Sequence, residues 1–161
     1  MKKIFNEILR AFIVTLYIII CADLSHCYAQ TYIDRPTTCC HQHNEQSYQQ
    51  AWQKKYGGIL EYKNNDCTRV DCLTTTHAIE FDFANKWAEA VGQALYYQYK
   101  TGKRAKVVLI LEYPESQMIY FNRVNALSKI HDFDVEYVTP AILNLNCKNQ
   151  CQNPKCKCHK K

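Results

Sequence analysis

Apolar and polar residues alternate over residues 77–83. Ile79, Phe81 and Phe83 point one way, and Ala78, Glu80 and Asp82 point the other, which is the period of a β-strand. Two shorter strand patterns, 59–63 and 68–73, precede it and flank Asn64-Asn65-Asp66, which is turn chemistry. Residues 44–55 lack Gly and Pro and suit a helix, with Asn44 as N-cap and Gly57-Gly58 ending it. Residues 84–100 carry a helical stripe of Trp87, Val91, Ala94 or Leu95, and Tyr99, stopped by Thr101-Gly102-Lys103. Residues 107–111 form a continuous apolar run, as in a strand buried on both faces. A second amphipathic helix over 116–130 follows Pro114, and a last strand over 134–138 precedes Pro140.

The predicted order is αβββαβαβ. The early strands read as an antiparallel meander and the later ones, joined by helical crossovers, as parallel. The expected fold is α/β, a mixed central sheet flanked by helices on both faces.

Ahead of this domain stands a different kind of segment. Met1-Lys2-Lys3 is followed by a mostly apolar run over 8–22 and then by Cys27-Tyr28-Ala29, the pattern of a secretory signal peptide cleaved after Ala29. The run is shorter than the ~20 residues of a spanning helix, so no membrane span is expected after cleavage. Residues 1–29 are read as the signal, 30–43 as a cysteine-containing arm, 44–146 as the domain and 147–161 as a Cys/Lys-rich tail. The expected location is the periplasm or the exterior.

Export changes the meaning of the ten cysteines. Eight remain after cleavage (Cys39, Cys40, Cys67, Cys72, Cys147, Cys151, Cys156 and Cys158), and an even number in an exported chain reads as disulfides of open connectivity. Cys67 and Cys72 are too far apart along one strand to bond to each other. The tail spacing also resembles a zinc site, with Cys39-Cys40-His41-x-His43 able to complete it, but export favours disulfides. The net charge of +5 is uneven: the tail holds five lysines and no acid, and the body, 30–146, carries a net −1. The body is therefore not a basic nucleic-acid glove, and backbone attraction would come from local patches or the tail.

The chemistry lies in acids within strands. Asp71, Glu80 and Asp82 fall on neighbouring strands, where unpaired carboxylates are costly and repel one another. A divalent cation, Mg²⁺ or Mn²⁺, relieves that repulsion. The alternative is that they face solvent or pair with Arg69, Arg104 or Lys106. Lys86, Gln93 and Tyr97 share one face of the following helix, with Lys86 one turn in. Lys86 is placed to act beside the cluster or, alternatively, to pair with Glu89 or Asp82. Glu61 is a further candidate ligand whose plainer reading is a surface hairpin residue. A Cys/His hydrolase built from Cys72 and His77 is set aside, because both side chains have core parity.

Arg69-Val70-Asp71, then Glu80 in the next strand, then Gln93-x-x-x-Tyr97 on a helix resemble the PD-(D/E)xK nuclease superfamily over about residues 45–110. The resemblance implies a restriction-endonuclease-like core hydrolysing phosphodiester bonds of DNA or RNA. It implies Asp71 and Glu80 as metal ligands and catalytic acids, with Asp82 as a further ligand. It also implies Glu45 as the first-helix acid, and Gln93 and Tyr97 as substrate-positioning residues. The family's lysine, two residues after the acid, is Asp82 here, so its role falls to Lys86 or is lost. Two other functions stay open: a catalytically silent relative that binds nucleic acid or a protein, and a disulfide-stapled secreted interaction protein.

Overall fold

The computed structural model describes residues 42–145 and 153–156, all within one unit, Cys40–Lys161. The expected signal peptide, nearly all of the arm, and Cys39, Cys40, Cys147, Cys151 and Cys158 lie outside the described residues.

Helix α1 (Glu45–Tyr56) is followed by β1 (Ile59–Lys63), β2 (Arg69–Leu73) and β3 (His77–Phe83). A 3₁₀ turn, Ala84–Lys86, leads into α2 (Trp87–Thr101), then β4 (Arg104–Ile110), α3 (Pro114–Ser128) and β5 (Phe133–Val138). The five strands lie in chain order in one sheet. β1–β2 and β2–β3 are antiparallel, and β3–β4 and β4–β5 are parallel, so the fold is α/β with a mixed sheet. Among the described residues no helix is long and apolar enough to cross a membrane.

The alternation in β3 separates two cores. Ile79, Phe81 and Phe83 pack with Val108 and Ile110 beneath Tyr48 and Trp52 of α1. Ala105, Val107 and Leu109 of β4 pack on the other face with Ala90 and Ala94 of α2 and Val124 of α3. Burial of β4 on both faces explains its unbroken apolar run.

Several local expectations change. Asn44 stands at the N-cap position of α1, but its side chain makes no cap bond; its amide donates to the Lys155 carbonyl at 3.1 Å instead. The stripe expected on α2 is only partly buried. Ala90, Ala94 and Tyr97 face the sheet, whereas Leu95 is 37% and Tyr99 81% exposed. Small side chains at the sheet-facing positions let α2 lie close to β3 and β4, leaving the larger residues outside. Lys86 is not inside the helix but closes the 3₁₀ turn before it. α3 starts at Pro114, whose fixed φ and missing N–H suit a first helical position, and it ends at Ser128.

Disulfide pairing does not reach two of the expected cysteines. Cys67 is exposed in the hairpin turn, with φ at +69°, and Cys72 is buried under α1; both are free thiols. Facing solvent and core respectively, they have no common side on which to bond. Cys156 is buried, and its sulfur lies 3.5 Å from Nδ1 of His43.

Gly57 and Gly58 carry the chain from α1 into β1 with φ of +80° and +115°. A Cβ on Gly58 would lie 2.5 Å from Sγ of Cys72, whereas one on Gly57 would meet open space. Gly57→Ala should therefore cost about 2 kcal/mol of backbone strain, and Gly58→Ala about 4 kcal/mol through strain plus overlap. Urea denaturation of the two variants checks the difference.

Candidate carboxylate site

Strand β2 pairs with β3 only at Cys72↔Ile79 and Leu73↔Ala78. Beyond these pairs the ladder is broken, and the Phe81 N–H donates to Oδ2 of Asp71 at 2.8 Å rather than to a backbone carbonyl. This detour brings the Asp71 carboxyl beside Glu80: burial and then the charges of Glu61 and Asp82 raise Asp71 to about 6, while burial, the charge of Asp71 and a side-chain hydrogen bond shared with Asp71 hold the proton on Glu80 up to about 10. Glu80 is only 5% exposed, and its Oε2 has no hydrogen-bond partner. At neutral pH Glu80 therefore carries a proton, which avoids the cost of burying a second carboxylate charge, and a cation reaching Oε2 would take that proton's place.

Two further acids join the pair. Glu45, in the first turn of α1, is raised to about 7 by burial and then by Asp71 and Asp82, against the opposing charge of Lys86. Asp82 is raised to about 6 by burial, with Lys86 and the Phe83 N–H pulling it down. Glu61 stands at the rim, on a residue with φ at +55°, and pairs with Arg69 at 3.2 Å. Its charge still reaches Glu45 and Asp71.

The cations that were candidates to neutralise the cluster have other carboxylates. Arg69 takes Glu61, Arg104 takes Asp132 and Asp134, and Lys106 takes Glu136 at 2.5 Å. His77 bonds Asp134 through Nε2 at 2.9 Å, so it belongs to this paired corner rather than to a hydrolase site with the buried Cys72.

Lys86 is half exposed and holds its Nζ 3.7 Å from Oδ1 of Asp82 and 3.9 Å from Oε2 of Glu89. Gln93 Nε2 donates to Oε1 of Glu89 at 3.3 Å, and the Tyr97 hydroxyl donates to Oε1 of Gln93 at 3.1 Å. Lys86, Gln93 and Tyr97 are thus linked through Glu89 along one side of the helix. Tyr97 is buried against Val70 and Ala78 and raised to about 12, by burial first and then by the charges of Glu80 and Asp71.

Among the described residues no group of three or more His, Cys, Asp and Glu side chains forms a ready-made metal cage. A hard dication commonly takes one or two carboxylates and completes its shell with water. Asp71 and Glu80, with the unpartnered Oε2 of Glu80, fit that donor set.

Glu112 did not emerge from the sequence. It is buried at the end of β4, and its Oε1 accepts from the Gln42 N–H at 2.7 Å, the His43 N–H at 3.2 Å and the Tyr48 hydroxyl at 2.7 Å. The signal for it was an acid placed directly after a buried parallel strand, where α/β sheets gather functional groups.

No protein-family model, curated protein or solved structure matches the chain.

The raised acids set a pH dependence. Glu45 and Asp82 bind protons more tightly folded than unfolded, so the stability linked to them is full below about pH 4 and is lost as pH rises through about 6 and 7. Urea denaturation in EDTA should show stability falling from pH 5 to pH 8, and the slope should flatten when Glu45→Gln and Asp82→Asn are combined. An unchanged slope in that double variant would show that the acids do not titrate as a cluster.

Proposed function

We propose that the chain is an exported, divalent-cation-dependent nuclease or nuclease-like protein with a PD-(D/E)xK core. The observation that carries the reading is the buried Glu80 beside Asp71, its Oε2 without a hydrogen-bond partner and its proton held by the charges of Asp71, Glu45 and Asp82. When bound there, Mg²⁺ or Mn²⁺ would offset the carboxylate charge and stabilise charge building up on a phosphate. Asp71 and Glu80 would hold the ion, with Asp82 beside them. The remaining work falls to the chain's own side chains. Lys86, on the open side of Asp82, would orient a water and donate positive charge toward the phosphate. Tyr97 and Gln93 would fix the inner wall against which a nucleotide is placed. DNA and RNA both meet this chemistry.

A second reading has its own observation. Lys86 lies between Asp82 and Glu89, and a lysine held by two acids is poorly placed to serve a phosphate. That favours a silent relative that binds nucleic acid or a protein without cutting.

Incubation of the full mature protein with plasmid, single-stranded DNA and RNA in Mg²⁺, Mn²⁺ or EDTA separates the two. Cleavage in metal, abolished by EDTA and by Asp71→Asn or Glu80→Gln, is the expected result. Lys86→Ala should then slow cleavage by about 10²-fold while urea denaturation shows the fold intact. Full activity in Lys86→Ala would remove the lysine from the mechanism. Binding without cleavage in any metal selects the silent relative.

A further inference from the structure

The start of α1 is held by an acid just beyond the end of β4. Oε1 of Glu112 accepts the N–H groups of Gln42 and His43 and the hydroxyl of Tyr48, so its bonds flank Glu45 on both sides in the chain. Tyr48 is fully buried, and its ring meets Phe83 edge-on at 6.1 Å, one residue beyond Asp82. A route of packed and hydrogen-bonded groups therefore runs from the end of β4, through Tyr48, to the end of β3. One acceptor oxygen thus ties down two backbone N–H groups and a buried hydroxyl, donors that would be costly to leave unpaired. Glu45 makes a side-chain bond to Gln49 within its own helix, at 3.2 Å, so its place among the acids depends on where that helix begins.

We propose that Glu112 is a positioning residue: by anchoring the start of α1 to the end of β4, it sets Glu45 among Asp71, Glu80 and Asp82, and so tunes the cluster's affinity for a divalent cation. The inference rests on the reading of that cluster as a cation site. Glu112 touches neither the cation nor the substrate; it acts through Glu45. The hydrogen bonds require an acceptor oxygen rather than a charge, so glutamine should serve in its place and an apolar side chain should not.

The test is Mn²⁺ titration of the full mature protein, followed by the electron paramagnetic resonance of the free ion, with urea denaturation as the measure of folding. Glu112→Met should weaken Mn²⁺ binding about tenfold or more, in the range that outer groups orienting metal ligands command. Glu112→Gln should bind close to wild type. Combining Glu112→Met with Glu45→Gln should weaken binding little beyond Glu45→Gln alone, because both act through one carboxylate. A folded Glu112→Met with wild-type affinity, or effects that add in full, overturns the inference and leaves Glu112 a role in stability alone. Should Glu112→Met fail to fold, Tyr48→Phe removes one of the three bonds and must show a smaller loss with the same non-additivity; wild-type affinity there overturns the inference. A wild-type protein that binds no Mn²⁺ overturns the cluster reading and the inference with it. Binding weakened by Glu45→Gln but by neither the Glu112 nor the Tyr48 variant overturns the inference alone.

Discussion

Where β2 stops pairing with β3, the Asp71 carboxylate takes over as acceptor for the Phe81 N–H. That single substitution of side chain for backbone shapes the site. The broken ladder leaves the C-terminal half of β3 without a β2 partner. Glu80, alternating toward the α2 side, comes to lie beside Asp71 within the protein. A regular antiparallel ladder would have satisfied the same N–H with a carbonyl and given the carboxylate no reason to be buried.

The surroundings sharpen the charge imbalance instead of relieving it. Arg69 is committed to Glu61 at the rim of the cluster, and Arg104 and Lys106 of β4 are committed to Asp132, Asp134 and Glu136 at the far corner of the sheet. Trp52 closes one boundary of that corner by donating Nε1–H to Glu136. The acids near Glu80 then face Lys86, which is shared with Glu89. Charge is thus sorted by position: paired at one end of the strands, concentrated at the other.

Much of this was legible along the chain, because it follows from periodicity. The two-residue alternation of 77–83 assigned Glu80 and Asp82 to the face opposite Ile79 and Phe81, and the structure keeps that assignment. The apolar run of β4 marked a central strand for the same reason. Failures came where tertiary packing overrode local pattern. Leu95 and Tyr99 looked buried because they are apolar, yet the alanines of α2 took the sheet-facing positions. Nothing local marked the 3₁₀ turn that moved Lys86 out of the helix. Glu112 meets its partners across 64 to 70 residues of chain, a separation that no motif or period encodes. The choice of Arg104 for Asp134, and not for the cluster, is likewise made by the register of β4 with β5.

The wall around Cys72 gives the molecule a chemical clock. Its thiol is raised to about 11 by burial, so little thiolate exists at neutral pH, and its side chain is fully buried with Sγ close against Gly58. Cys67, exposed in the turn of the same hairpin, has no such shield. A thiol reagent therefore meets the two sulfurs of this hairpin, five residues apart, on very different timescales. The slower of the two reports how often α1 and the hairpin separate, read against an internal reference that the hairpin itself carries.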